Sequence, residues 1–289
     1  MYRRDFLHTL SAAALMLHGI DAVASVAPKG KLAGESSAAQ SAEAQGDSGV
    51  RDQLSRSRRP DQHYCNDVMI DAEQKPLLLA LQQRLGRVQK TVGHGNFALL
   101  GVDEMRAYGR NYSAIGRFTK EEEALLEQLF YADAGSYGFY GEKPLGKLTD
   151  RIDRRALNRQ SGSSQYLFKG EALAAYAKIK QALGDEVVLT SGVRGVVKQM
   201  HLFLNKAVAF EGNLSLASRS LAPPGYSFHG IGDFDVGQRG WGPRNFTPDF
   251  ANTDLFKRLQ ELGYISMRYP EDNPLGVRYE PWHIKVVTA

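Results

Sequence analysis

Apolar positions recur at helical spacing in five stretches of the chain, each with its own start or stop signal. Leu77, Leu81, Leu85 and Val88 share one helical face, and Pro76 is tolerated because a first turn needs no N–H there. Thr119-Lys120-Glu121-Glu122 has capping-box form ahead of Leu125, Leu126, Leu129 and Phe130. Leu173, Tyr176, Ile179 and Leu183 make a third stripe, with Gly184 as its stop. Val197, Met200, Phe203, Leu204 and Val208 make a fourth. Thr253 opens a fifth that carries Leu255, Phe256, Leu259 and Leu262 and closes at Gly263. Val187-Val188-Leu189-Thr190 reads as a short β-branched strand, and Tyr264 to Tyr269 and Val277 to Val287 read as two more. No internal repeat is present. The pattern predicts an α+β protein: a small antiparallel sheet with packed helices over residues 162–289, preceded by a mainly helical region over 61–161.

The first sixty residues lack this patterning. Tyr2-Arg3-Arg4-Asp5-Phe6-Leu7, the Ala/Leu-rich run from Leu10 to Leu17 and the small residues Ala22-Val23-Ala24 have the form of an export signal over 1–27. The paired arginines followed by Phe6-Leu7 resemble the twin-arginine type. That run is too short to span a bilayer, and no other segment reaches spanning length, so no stable membrane span is expected after signal cleavage. Residues 28–60, rich in Ser, Ala, Gly and Gln, read as a flexible linker that cannot bury enough surface to offset its ordering entropy.

Composition narrows the function classes. The net charge of +4 is small and no basic run is interleaved with aromatics, which argues against a nucleic-acid partner. A single cysteine, Cys65, excludes an intramolecular disulfide and a cysteine-based zinc cluster, and reads as a buried or incidental thiol. Tyr131, Tyr137, Phe139 and Tyr140 suit core packing better than a carbohydrate- or peptide-binding groove. His63 and His94 have no partners at ligand spacing, and His201 reads as a packing or surface residue.

The chemistry concentrates in two short segments. Ser227-Phe228-His229-Gly230-Ile231-Gly232-Asp233-Phe234-Asp235 and Glu280-Pro281-Trp282-His283 together offer two imidazoles, a choice of carboxylates and one more carboxylate beside the last histidine. Three N/O ligands with a fourth position open is the donor pattern of catalytic zinc, and a spare glutamate can take a proton from the water it activates. A straight strand would hold His229 and Asp235 about 20 Å apart, at about 3.3 Å per residue. The chain must therefore bend between them, and Gly230 and Gly232 permit it. A flat strand would also point Glu280 and His283 to opposite faces, which Pro281 can disturb. Gly225, after Pro223-Pro224, suggests a tight approach to the same place.

Ser191-Gly192-Val193-Arg194 with Gln199, then Pro224 to His229, Gly232 to Asp235 and Glu280 to His283, resemble the motifs of the VanY-type D-alanyl-D-alanine carboxypeptidases among the M15 zinc peptidases. The resemblance runs from about Val187 to the C-terminus. It implies a Zn2+ cofactor held by His229, Asp235 and His283, with Glu280 as general base and Arg194 holding substrate or transition-state charge. It further implies substrate contacts at Arg194, Ser227 and Gln199, although a turn hydroxyl explains Ser227 equally well. The segment from glycine to aspartate is one residue shorter than the family pattern; Val236 after Asp235 favours Asp235 as ligand, with Asp233 as the second candidate. The expected substrate is a peptidoglycan stem peptide, cut at a D-Ala-D-Ala-type bond in the periplasm or at the cell wall. An endopeptidase acting on L-Ala–D-Glu or a cross-bridge would use the same site. A non-catalytic cell-wall-binding module would have no need of Glu280.

Overall fold

A computed structural model of the protein describes residues 51–286. The export signal at 1–27 and residues 28–50 of the expected linker lie outside the described residues. The described residues belong to one compact unit, Gln45–Ala289. The last part of the expected linker departs from that reading: residues 51–58 are helical (α1), and Ser57 is buried.

The helices that follow are α2 (Lys75–Val92), α3 (His94–Ala98), α4 (Val102–Asn111) and α5 (Lys120–Tyr131). A β1–β2 hairpin (Leu157–Arg159, Tyr166–Phe168) leads to α6 (Glu171–Leu183), β3 (Val187–Ser191), α7 (Val196–Ala209) and α8 (Leu214–Ser220). The chain ends with β4 (Phe234–Gln238), α9 (Asp254–Glu261) and β5 (His283–Ile284). Local chemistry accounts for most of these boundaries. Pro76 sits in the first turn of α2, and Thr119 accepts from Glu122 N while the Glu122 carboxylate accepts from Thr119 N. Gly184 ends α6, and Thr253 caps α9.

Two strands expected near the C-terminus are largely absent. Among the described residues, Tyr264 to Tyr269 contributes only one isolated bridge, Met267 to Ile284, and the expected strand Val277 to Val287 is paired, as far as Val286, only at His283–Ile284. Pro281 supplies no N–H, and the His283 N–H donates back to the Glu280 carbonyl at 3.1 Å, so this stretch turns instead of extending. The sheet is antiparallel in the order β3-β4-β5.

Two apolar clusters carry most of the packing. One joins β3–β5 to α6 and α9 through Ile179, Val187, Phe234, Phe250, Leu259 and Trp282. The other joins α2, α4 and α5 to α7 through Leu81, Leu85, Met105, Leu126, Val197, Phe203 and Leu204. Residues 61–161 and 162–289 thus share a core through α7. Residues 60–70 are fastened to α8 by Asp67, which accepts from both Arg219 nitrogens (2.8 and 2.9 Å) and from Asn213 (2.9 Å).

Of the aromatic cluster, Tyr137 and Phe139 are buried while Tyr131 and Tyr140 are exposed, so core packing explains only half of it. Cys65 is exposed and not buried. Gly225 does make a close approach, but to Lys143, Leu145 and Phe130.

Candidate metal centre

Strand register brings the first two donors together. Asp235 on β4 is paired directly with His283 on β5, so their side chains stand on the same face of the sheet. Ser191 on β3 pairs with Asp235 on its other side. His229 arrives from a short 3-10 turn, Phe228–Gly230, and the chain then reverses through Gly232, whose φ of 150° favours glycine. The required bend is present. At the loop after β3, Gly192 is compelled by space: a Cβ there would run into the Tyr166 carbonyl oxygen.

The donor atoms of His229, Asp235 and His283 all lie within 4.8 Å of one another, and all three residues are buried. Asp235 Oδ1 stands 3.3 Å from His229 Nε2 and 3.4 Å from His283 Nδ1. In a regular tetrahedron with metal–ligand bonds of 2.0–2.1 Å, neighbouring donors are about 3.3–3.4 Å apart. The far nitrogen of each ring is already engaged: His229 Nδ1 lies 2.9 Å from the Gly192 carbonyl, and His283 Nε2 lies 2.9 Å from Asp233 Oδ2. These outward contacts orient both rings so that His229 Nε2 and His283 Nδ1 are aimed at the centre, the usual support for a histidine ligand. Asp235 Oδ1 is buried and accepts no hydrogen bond. An orphaned carboxylate oxygen facing two imidazole nitrogens fits a zinc ion.

The electrostatics agree. Burial disfavours the charged form of the His229 ring and Arg194 adds repulsion, so its pKa is lowered and the ring is held neutral, the form that can bind a metal. Burial also opposes ionisation of Asp235, but His229, His283 and Arg194 outweigh it and hold the carboxyl below its usual range. For His283, burial acts against protonation, while the hydrogen bonds to Asp233 and Glu280 prevail and raise it to about 9, so a metal displaces a proton there.

The other expected residues divide into those at the cleft and one behind it. Glu280 Oε2 is 3.4 Å from His283 Nδ1, and Glu280 lines a cavity of about 340 Å³ with Arg194, Ser227 and the three donors. The Arg194 guanidinium donates to Ser191 Oγ (3.0 Å), lies 3.4 Å from Asp235 Oδ2, and leaves its buried Nε without a partner. Gln199 stands apart from the substrate contacts expected of it. Its Oε1 accepts from Arg194 Nη1 at 3.2 Å and its amide nitrogen donates to the Ala222 carbonyl, so both ends are spent on holding Arg194. His201 packs edge-on against Phe97 at 5.5 Å, and burial lowers it to about 4.

Asp233 has a part that the motif does not disclose. It accepts from His283, from Arg268 (Nη2, 3.2 Å) and from Val286 N (2.8 Å), so it orients a ligand from outside the triad. Tyr269, against the His283 ring at 5.1 Å, was likewise missed. So were Lys198, Lys206 and Arg278, which line the cavity. Lys198, Leu202 and Lys206 are spaced i, i+4, i+8 on α7, opposite its apolar stripe, and that spacing was the available signal.

A buried His–Asp–His centre on a three-stranded antiparallel sheet, with a glutamate beside it, defines the zinc-peptidase class of site. Residues 168–289 match the family model "VanY: D-alanyl-D-alanine carboxypeptidase". The match is confined to the C-terminal part of the chain, which is thus similar to the VanY-type zinc peptidases. No curated protein matches the chain. Among solved structures it is similar to the LdcB LD-carboxypeptidase, with 30% identity over 42% of this chain and a TM-score of 0.36. This chain covers 59% of the length of that protein. It is also similar to the vancomycin resistance D,D-pentapeptidase VanY from the VanB-type cassette, in complex with Zn(II), with 21% identity over 52% of this chain and 86% of that one and a TM-score of 0.41. A third is the D,D-dipeptidase VanXYg bound to a D-Ala-D-Ala phosphinate analogue, with 18% identity over 51% and 60% and a TM-score of 0.43.

Proposed function

We propose that the protein is a zinc-dependent D,D-carboxypeptidase that removes D-alanine from the C-terminus of peptidoglycan stem peptides. The observation that carries this reading is the convergence of His229 Nε2, His283 Nδ1 and the unpartnered Asp235 Oδ1, with Glu280 3.4 Å from His283. Bound zinc would supply Lewis-acid activation of water and of the scissile carbonyl. Glu280 then accepts the proton from the attacking water and returns it to the departing amine. Arg194 is held in place by Ser191 and Gln199 at the cavity wall, where its guanidinium charge serves substrate charge, either the terminal carboxylate or the developing oxyanion. Ser227 is buried at the cleft wall and is available to orient the peptide.

Residues 1–27, read as an export signal, would carry the enzyme to its substrate outside the cytoplasmic membrane. Among the described residues no helix is long and apolar enough to cross a membrane. The test combines metal analysis with product analysis. The expected result is about one zinc per chain and release of free D-alanine from a peptide ending in D-Ala-D-Ala. Cleavage confined to internal bonds would replace this reading with an endopeptidase. Zinc-independent binding without cleavage would leave a binding module.

A further inference from the structure

The cavity beside the candidate metal centre carries more cations than carboxylates. Its lining includes Arg194, Lys198, Lys206 and Arg278 against only two carboxylates, Asp235 and Glu280. Arg194 stands beside Asp235 and Arg278 beside Glu280, while the two lysines share a wall of the cavity on α7. Lys198 and Lys206 lie on one face of α7, eight residues apart, with Leu202 between them in the same wall. At 1.5 Å per residue that row is about 12 Å long. Among the described residues, neither lysine has a hydrogen bond or an ion pair with a carboxylate. Lys206 lies over the Phe210 ring at 5.8 Å. Arg278 lies 3.9 Å from Glu280, and its Nε is buried without a hydrogen-bond partner. Burial acts against the charge on both lysines; Lys198 is lowered to about 8, with Arg194 adding repulsion. Such a row is costly unless something anionic comes to it.

We infer that Lys198, Lys206 and Arg278 form an anion subsite that takes a second carboxylate of the substrate, upstream of the C-terminal residue. This rests on the peptidase reading and specifies its substrate as an acidic peptide. An extended chain advances about 3.3–3.6 Å per residue. A 12 Å row spans about three residues of an extended chain, room enough for a carboxylate on a residue upstream of the C-terminal one, and an isoglutamyl α-carboxylate has that chemistry. Amidation would remove the charge and leave the peptide otherwise the same size.

The test uses two synthetic peptides ending in D-Ala-D-Ala, one with an isoglutamyl residue and one with its amide. Their binding to zinc-loaded Glu280→Gln protein is measured by calorimetry, so cleavage is not needed. The acid form is expected to bind about tenfold more tightly, the size of one charge-assisted hydrogen bond. Lys206→Gln and Arg278→Gln, each in the Glu280→Gln background, should bring that ratio close to one. Lys206→Glu should favour the amide. Equal binding of the two peptides to the parent protein overturns the inference, as does a ratio that survives both substitutions. If the zinc-loaded wild-type protein cleaves neither peptide, the proposed function fails, while the binding ratio still decides the subsite. Absence of binding to either peptide overturns both.

Discussion

Glu280 and Asp233 sit on either side of His283, and the two carboxylates are expected to answer mutation differently. Glu280→Gln preserves shape but cannot accept a proton. It should keep zinc and thermal stability and lose about 10²–10⁴-fold in rate, read from metal content, melting temperature and D-alanine release on one preparation. Loss of zinc in that variant would make Glu280 a ligand. Asp235→Ala removes a donor and should abolish stoichiometric zinc. Asp233→Asn removes no donor atom but weakens the hold on His283 and the pairing with Arg268, so zinc affinity should fall by about 10–100-fold, measured by competition with a chelator. Equal effects of the two aspartate substitutions would remove the distinction between ligand and support. At this scale the sequence discloses donors better than supports. His229, Asp235, His283 and Glu280 stand in short motifs, whereas the hydrogen bond from His283 to Asp233 depends on strand pairing. Gln199 was legible as a partner of the Arg194 segment but not as its brace. Lysines on a helix normally read as a solvated face, which concealed Lys198 and Lys206.

Among the elements, the helices were the legible part because period, cap and stop coincide: α2, α5, α6 and α9 each show at least two of these signals. The final strands were not legible, since an apolar, β-branched composition does not reveal a turn at Pro281 or the lack of a partner over Tyr264 to Tyr269. The clamp between residues 60–67 and α8 was also invisible, because Asp67 and Arg219 are 152 residues apart. Both side chains are 3% exposed. Burial opposes ionisation of Asp67, yet the hydrogen bonds from Arg219, Asn213 and Tyr64 N hold it down at about 2. A carboxyl depressed on folding contributes stability that is complete above its unfolded value near 3.9 and is lost as pH falls towards the folded value. The contribution should be about 2 kcal/mol. Urea midpoints for the wild-type protein should therefore drop more steeply between pH 5 and pH 2 than those of Asp67→Asn. Parallel pH curves would show that Asp67 gains nothing from the clamp.

For the molecule as a whole, α7 decides how far residues 162–289 can stand alone. Val197, Met200, Phe203 and Leu204 are buried in the cluster with α2, α4 and α5. Exposing four such side chains costs about 1.5–3 kcal/mol each, comparable to the entire stability of a typical domain. Residues 162–289 produced alone should lack a cooperative unfolding transition by circular dichroism, and a sharp transition would show that the helical half is dispensable. A different consequence follows from the pairing of Asp235 with His283. Only two residues of β5 are hydrogen-bonded as strand, and a slip of one position would turn His283 to the opposite face. A metal held between β4 and β5 is therefore a rivet through the sheet, fixing which residue of the C-terminal segment lies opposite which. Chelation should first release that segment: amide hydrogen exchange over residues 277–286 should accelerate, while α2 and α5 keep their protection. Uniform acceleration along the chain would mean that the rivet holds the whole fold, and no change would mean that β5 keeps its place without it.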